Sequence, residues 1–209
     1  PTVYKWASSG EGLENVEKTQ RYVLALVILI FCLAGLLSWL VTYFLPPEYN
    51  SVRWIVVSCL GFPLLYTLSE ATVVGIGISR RSSFAMLAAI TAFGFNVVGN
   101  IWLIPIYGAN GAAVSTCVSF LIFFILRTEF SIYLWRAMPR LLFYSYAISA
   151  VSLAVVFTLF GGKLKILTMV LWLILLGCST FSFRREYLST YKFMVSKITS
   201  MKLFNLKRI

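Results

Sequence analysis

Six long apolar stretches separated by short polar segments restrict what this chain can fold into. A helix needs about 20 mostly apolar residues to cross about 30 Å of hydrocarbon. The stretches are Tyr22–Leu45, Trp54–Ser79, Phe84–Ile104, Ala109–Leu126, Leu141–Phe160 and Leu164–Phe183. The sequence therefore predicts an all-α, polytopic membrane helix bundle with about six transmembrane helices. Because the connecting loops are short, we expect successive helices to be antiparallel neighbours.

The composition is typical of a chain surrounded by an apolar solvent, and it excludes several kinds of catalytic site. Hydrophobic residues make up 60% and charged residues 12% of the chain, against about 45–50% and about 25% in soluble domains. The chain contains no His and no Asp, so a His general base or a triad built on these residues is excluded. A zinc site would have to use Cys and Glu alone. We therefore expect neither an enzyme nor a metal site.

The four cysteines carry no metal or redox signature. Cys32, Cys59, Cys117 and Cys178 all lie in apolar stretches, and no two of them form a CxxC pair. This distribution favours small apolar core residues.

The basic residues predict an orientation. If residue 1 is on the inner side, every Lys and Arg falls on that side except Arg53, Lys163 and Lys165. Cytoplasmic loops carry the excess of Lys and Arg in membrane proteins, so we expect both chain ends in the cytoplasm. The net charge of +11 is then a consequence of topology, and no nucleic-acid partner is expected.

Both ends are predicted to lie outside a bundle formed by residues 22–183. Residues 1–21 are expected to be a cytoplasmic connector, in which Glu14/Lys18 and Glu17/Arg21 have the i,i+4 spacing of helical ion pairs. The chain starts with a residue other than Met, and we expect it to be part of a longer protein.

Residues 184–209 form a basic tail with a helical apolar stripe. The stripe consists of Tyr187, Tyr191, Met194, Ile198 and Met201. A basic amphipathic helix beside a span favours anchoring at an anionic inner surface. A frayed tail is the alternative.

Glu70 is the one acidic residue well inside a predicted span. An ionisable group in the membrane is a functional candidate by default, and Pro63 and Gly77 share its helix face. It could bind a proton or cation, or make a polar contact inside a transport cavity. The alternative is a carboxyl near the inner interface that pairs with Arg80 or Arg81, although about ten residues, or roughly 15 Å, separate them.

Other polar residues in or beside the spans also have two interpretations. Asn96 and Asn100 have i,i+4 spacing in the third span and either hydrogen-bond between helices or line a hydrophilic pathway. Arg53 at the outer mouth of the second span, and Arg80 and Arg81 at its inner end, are either membrane-edge anchors or groups that meet phosphates.

The run from Asn96 to Thr116 carries a longer pattern. It reads Asn96, three residues, Asn100, then Ile104-Pro105, Gly108-x-x-Gly111-Ala112-Ala113 and Thr116. This run resembles the O-antigen flippases and their relatives in the multidrug/oligosaccharidyl-lipid/polysaccharide exporter superfamily. The opening Val3-Tyr4-Lys5 and the Leu45-Pro-Pro-Glu-Tyr49 turn are similar to that family as well, so the resemblance covers residues 1 to about 130.

The resemblance implies a two-lobe transporter of the bacterial inner membrane, of which this chain would be most of the C-terminal lobe. Its partners would be a lipid-linked oligosaccharide on undecaprenyl pyrophosphate, membrane lipids and a missing N-terminal lobe. Transport would occur by alternating access with H⁺ or Na⁺ as coupling ion and no other cofactor. The candidate pathway residues are Arg53, Glu70, Asn96 and Asn100, with Arg80 and Arg81 as inner-interface cations.

Other functions stay open at this point. One is a drug or cation antiporter of the same superfamily, which would need acidic residues in the membrane. A structural membrane subunit and an enzyme whose site lies in a missing part are two more.

Overall fold

The computed structural model describes residues 13–189, and this part of the chain is almost entirely helical. Six long helices follow one another in residues 13–189. They are α1 (Leu13–Leu37), α2 (Val52–Thr72), α3 (Ser82–Tyr107), α4 (Ala109–Leu134), α5 (Arg140–Phe160) and α6 (Lys165–Ser182). Each is long and apolar enough to cross a membrane. Residues 13–189 contain no β-strand, so the predicted all-α polytopic bundle is confirmed.

Short helical segments complete the connections. Two of them, Ser38–Leu40 and Val41–Phe44, continue α1, and Pro47–Tyr49 forms a 3₁₀ turn before α2. Val74–Ser79 is a separate short helix after α2. The connections therefore hold little chain outside the bundle.

Contacts along α3 and α4 show that these helices form an antiparallel hairpin. The rings of Phe84 and Phe130 meet at 5.2 Å near one end. Gly111 lies against the backbone of Leu103 near the other end. Gly108, the single residue between the two helices, has φ of +57°, a backbone angle that favours glycine.

Helices α2 and α4 are parallel and pack along their length. Gly61 lies against Cys117, and at the last residue of α2 the hydroxyls of Thr72 and Thr128 are 2.7 Å apart. This register follows from an up-and-down order of α2, α3 and α4.

The up-and-down order gives the bundle two ends of different charge. The basic end holds the start of α1, residues 73–81 and 135–139, and the segment after α6; the opposite end holds residues 45–51, Gly108 and 161–164. The opposite end carries Arg53, Lys163 and Lys165.

The apolar core lies between α1, α2, α4 and α5 and is closed by α6. Phe31, Phe124, Phe157 and Trp172 are among its largest fully buried side chains. A Cβ atom on Gly35 would lie 2.4 Å from the Trp172 indole, so glycine lets α1 and α6 approach closely.

Helix α3 stands at the edge of the bundle. It packs mainly on α4, and Trp102 and Ile106 on its outer side are largely exposed. This apolar face is suited to lipid or to another helix.

The predicted second span is interrupted after Thr72. In a continuous helix the N–H of Gly75 would donate to the carbonyl of Ala71. Instead Gln20 Nε2 donates to the Ala71 carbonyl over 3.0 Å, and the Gly75 N–H donates to Ser131 Oγ over 2.8 Å. The neighbouring helices α1 and α4 thus replace the hydrogen bond that the break removes.

Helix α4 is longer than predicted and ends at Leu134 instead of Leu126. The charged residues Arg127 and Glu129 therefore lie within the helix rather than in a loop. Both are paired in the folded bundle; Glu129, for example, accepts a 2.7 Å hydrogen bond from Arg140. A hydropathy pattern predicts that a span ends at the first charged residue, whereas in the structure the helix continues past charged residues that are paired.

Residues 13–21 of the predicted connector belong to α1, and residues 1–12 lie outside the described part of the chain. The predicted Glu14/Lys18 ion pair is confirmed at 2.8 Å. These side chains are largely exposed, so the pair contributes little to stability.

The predicted Glu17/Arg21 pair is wrong. Glu17 accepts a hydrogen bond from Arg136 over 3.0 Å, and Arg21 donates to Glu186 over 2.8 Å. The two residues bond to other segments because packing brings the α4–α5 connection and the chain after α6 against α1.

Residues 184–189 are helical and rest on α1. The Tyr187 hydroxyl donates to the Ala25 carbonyl over 2.8 Å, and burial raises its pKa above the ordinary tyrosine value, so it stays a donor. The rest of the predicted amphipathic tail, residues 190–209, lies outside the described residues.

All four cysteines are free thiols. Cys32 and Cys117 are buried, as predicted for core residues. The prediction is wrong for Cys59 and Cys178, which lie on the outer surface. An apolar stretch does not show which of its faces is turned outward.

Candidate functional site

Helix α3 lies close against one side of α4, and a space remains between α3 and α2. A Cβ atom on Gly99 would lie 2.4 Å from Ser115 Oγ, and one on Gly111 would lie 2.3 Å from the Leu103 carbonyl oxygen. Helix α2 packs on another side of α4. The gap between α2 and α3 is therefore a groove whose floor is α4.

This space, here named the aromatic groove, has a volume of about 340 Å³. Its aromatic residues are Phe62, Tyr66, Phe93, Phe120 and Phe123, and its small or polar residues are Ala89, Ala92, Asn96, Thr116 and Ser119. Phe62 and Phe120 meet at 4.5 Å, and the rings of Tyr66 and Phe123 are nearly parallel at 6.2 Å. The groove can take an apolar chain against aromatic surfaces, with a few polar groups at its side.

Asn96 and Asn100 form one hydrogen-bonded network between α3 and α4. Asn100 Nδ2 donates to Asn96 Oδ1 over 3.1 Å, and Asn96 Nδ2 donates to Thr116 Oγ1 over 3.2 Å. Ser115 Oγ donates to the Asn96 carbonyl over 3.0 Å. The amides therefore hold the hairpin together, and Asn96 also borders the aromatic groove.

Towards the basic end the groove meets a buried arginine. Arg127 Nη1 donates to Glu70 Oε1 and to Ser69 Oγ, both over 2.8 Å. The guanidinium also lies 5.0 Å from the ring centre of Phe123 and 5.9 Å from that of Tyr66. Arg127 is therefore held by one carboxylate, one hydroxyl and two aromatic faces.

The two members of this ion pair differ in exposure. The Arg127 side chain is 10% exposed, whereas that of Glu70 is 46% exposed. A buried charge is costly without a partner, and Glu70 supplies that partner. Arg127 Nε is buried and has no hydrogen-bond acceptor among the described residues.

A second cavity, here named the charged pocket, is lined by Arg127. It has a volume of about 240 Å³, and its polar side chains are Glu70, Arg80, Ser82 and Arg127. Arg80 ends the short helix after α2 in the left-handed region with φ of 53°, which costs a non-glycine residue about 1–2 kcal/mol. Since Arg127 lines this pocket and also contacts two rings of the aromatic groove, the two cavities are adjacent.

Most of the predicted site residues come together on this side of the bundle. Glu70 and Arg80 line the charged pocket, Asn96 lines the aromatic groove, and Asn100 is hydrogen-bonded to Asn96. The alternative that Glu70 pairs with Arg80 or Arg81 is wrong, because its partner is Arg127 on α4.

Arg53 lies apart from both cavities, and Arg81 lines neither of them. Arg53 is at the start of α2, about 25 Å along the helix from Glu70, and its guanidinium lies 4.6 Å from the ring centre of Trp54. Arg81 is exposed and lines neither cavity. Stacking of an arginine on an interfacial tryptophan agrees with the membrane-edge interpretation of Arg53.

Arg127 was not among the predicted site residues, because the hydropathy pattern placed it in a loop after Leu126. A signal was present in the spacing of Thr116, Phe120, Phe123 and Arg127, which recur every three or four residues and share one helix face. Extending the fourth helix past Leu126 would have placed the cation on the groove.

The donor set of the site suits an anion better than a metal ion. Within residues 13–189 no three His, Cys, Asp or Glu side chains are grouped closely enough to hold a metal. Two guanidinium groups face the charged pocket against a single carboxylate. Guanidinium groups bind phosphate and carboxylate through paired, charge-assisted hydrogen bonds.

Comparison with known proteins adds no relative. No protein-family model matches the chain, and neither a curated protein nor a solved structure is detectably similar to it. The similarity to polysaccharide exporters is therefore carried by the sequence motif and stays a prediction.

Proposed function

We propose that this chain is the C-terminal portion of a flippase that translocates oligosaccharide linked to undecaprenyl pyrophosphate across the bacterial inner membrane by alternating access. Both chain ends would be cytoplasmic. The observation that carries the proposal is the adjacency of the charged pocket and the aromatic groove on α2, α3 and α4. Such a cargo combines an anionic head with a long apolar chain, and each part needs a surface of its own kind.

The charge of the site favours this cargo over a cationic drug. An exporter of cations needs an available carboxylate in the membrane. Glu70 is the one carboxylate among the residues that line either cavity; it lines the charged pocket, and it is bonded to Arg127. With Arg80 added, the charged pocket carries an excess of positive charge, which attracts an anion.

The open side of the groove supports a missing second lobe. Phe93 lines the groove and is 68% exposed. Among residues 13–189, helix α3 packs on α4 and, to a smaller extent, on the short helix that precedes it, so its outer face stays uncovered. An N-terminal lobe packed over this side would close the groove into a cavity. A coupling H⁺ or Na⁺ would act at Glu70, where neutralisation of the carboxylate would weaken its hold on Arg127.

Deletion of the full-length gene in its own bacterium tests this function. Completed lipid-linked repeat units should then accumulate in the inner leaflet, as measured by the access of an impermeant sugar-binding probe to inverted and right-side-out vesicles. The wild-type gene should restore transport, Arg127→Gln should not, and the matched control Glu129→Gln should, because Glu129 lies at the same end but outside both cavities.

Two results would overturn the flippase proposal. Normal surface polysaccharide with no accumulated intermediate would leave a structural membrane subunit. Loss of dye efflux on deletion, with polysaccharide unchanged and a strict need for Glu70, would identify a drug or cation antiporter of the same superfamily.

A further inference from the structure

The break after Thr72 separates a backbone donor and a backbone acceptor that fit each other. The Gly75 N–H and the Ala71 carbonyl would share one hydrogen bond in a continuous helix. In the structure Ser131 Oγ accepts from this N–H over 2.8 Å, and Gln20 Nε2 donates to this carbonyl over 3.0 Å. A broken and a continuous helix therefore satisfy the same two backbone groups, with different partners.

Gln20 favours the broken form. Its side chain is fully buried, and its Nε2 also donates to the Met138 sulfur over 3.2 Å, which is a weak acceptor. A buried amide is costly unless it is hydrogen-bonded. In a continuous helix the Ala71 carbonyl would be occupied by Gly75, and Gln20 would keep only its weak contact with Met138. The bond to Ala71 thus stabilises the break.

The segment after the break has little helical stability of its own. Val74–Ser79 is a helix of six residues, and two of them, Gly75 and Gly77, are glycines, which lower helix propensity. The Ile76 N–H donates to the Val73 carbonyl over 3.0 Å, three residues back instead of four. The direction of this short helix is therefore decided by its neighbours.

The present form also contains backbone strain. Arg80 follows the short helix with φ of 53°, a region that is unfavourable for a residue with a side chain. Strain of this kind persists only where the surrounding contacts maintain it. A second arrangement of the segment would release it.

The short helix forms one wall of the charged pocket. Four lining residues come from it and its two ends, namely Val73, Ile76, Gly77 and Arg80. Gly75 lies against the Ser131 backbone on α4, a contact that a continuous helix would give up. The wall would then move away from α4, on which Arg127 lines the same pocket.

We infer that residues 71–79 switch between the broken form and a continuous helix, that Gln20 and Ser131 stabilise the broken form, and that the switch opens the charged pocket at the basic end. Two packings that satisfy the same groups are the usual basis of such a two-state element. The inference goes beyond the proposed function, because it concerns a movement of the helix and is independent of what the bundle carries.

Distances between spin labels in the full-length protein test the two forms. In a background free of native cysteines, one pair at Asn15 and Ser79 reports the short helix relative to α1, and a reference pair at Asn15 and Tyr133 reports α4 relative to α1. Gln20→Met keeps the side chain's size and removes its amide. It should raise the population of a second Asn15–Ser79 distance about tenfold and leave the reference distance unchanged.

Other variants separate the switch from a general loss of stability. Ser131→Ala removes the second partner of the break and should act in the same direction, which keeps a test available if Gln20→Met fails to fold. Thr19→Ala is the control, because the Thr19 hydroxyl donates to the Asn15 carbonyl within α1. It should change neither distance.

The effect on the pocket has its own measurement. Ala85 lines the charged pocket, and Ala85→Cys should react several-fold faster with a small maleimide when it is combined with Gln20→Met. The combination with Thr19→Ala should react at the unmodified rate. Unchanged reactivity in a protein that shows the second distance would overturn the link between the switch and the pocket.

Three further results would overturn the switch itself. One is the wild-type Asn15–Ser79 distance alone in both Gln20→Met and Ser131→Ala. Another is a broadening of both label pairs, which would show that the whole bundle loosens. The third is faster amide hydrogen exchange at residues 73–79 in Gln20→Met, because a continuous helix protects these amides and local unfolding exposes them.

Discussion

Arg127 on α4 donates a 2.8 Å hydrogen bond to Glu70 on α2, between two parallel helices. The pair lies where the aromatic groove meets the charged pocket, and Arg127 lines or contacts both cavities. It neutralises the most buried charge of the site while leaving its Nε without an acceptor among the described residues. The pair therefore stabilises the buried guanidinium at the junction of the two cavities.

Removing one partner of this pair should cost more than removing both. Arg127→Gln leaves Glu70 without its cation, and we expect a loss of about 1–3 kcal/mol, below the 3–5 kcal/mol of a fully buried pair because Glu70 is half exposed. The double variant Glu70→Gln/Arg127→Gln should recover most of that loss. Thermal unfolding of the single and double variants in detergent measures the coupling. Strictly additive effects would show that the two side chains do not stabilise each other.

The close approach of α3 and α4 makes Gly111 sensitive to a single methyl group. In Gly111→Ala the new Cβ would meet the Leu103 backbone at 2.3 Å, and overpacking of this kind costs about 1–3 kcal/mol. Gly94→Ala on α3 is the control, because no atom lies within 4 Å of a Cβ there. Melting temperatures should fall for the first variant only. Equal stability of the two would contradict the packing of the hairpin.

Water should reach the groove but not the outer face of α3. Ala89 lines the aromatic groove, whereas its neighbour Ile90 is exposed outside it. Maleimides react with the thiolate, which forms in water. In a background free of the native cysteines, Ala89→Cys should therefore react with a small maleimide in membranes faster than Ile90→Cys. Similar rates at both positions would argue against a hydrated groove.

The two ends of the bundle should lie on opposite sides of the membrane. A fluorescent protein, which folds in the cytoplasm, should be active when it is fused after Arg81 at the basic end, and alkaline phosphatase fused there should be inactive. Alkaline phosphatase fused after Gly162 at the opposite end should be active, since it needs the oxidising outer compartment. The reverse pattern would contradict the orientation, and phosphatase activity at both positions would contradict the six-helix order.

Helix number and type were determined by local sequence. A segment in hydrocarbon must satisfy its backbone groups internally, so an apolar stretch of sufficient length can hardly be anything but a helix. The same local logic identified Glu70 as a charge within a span. None of these features depends on which helices become neighbours.

The partner of Glu70 was decided only by the tertiary structure. Arg127 is 57 residues away, on a helix whose end the hydropathy pattern placed one residue too early to include it. The break after Thr72 likewise depends on Gln20 and Ser131, which come from two other helices. The sequence alone determined which segments cross the membrane, because lipid acts on each segment separately. Packing decided where the charges meet, because helix rotation and register depend on all neighbours at once.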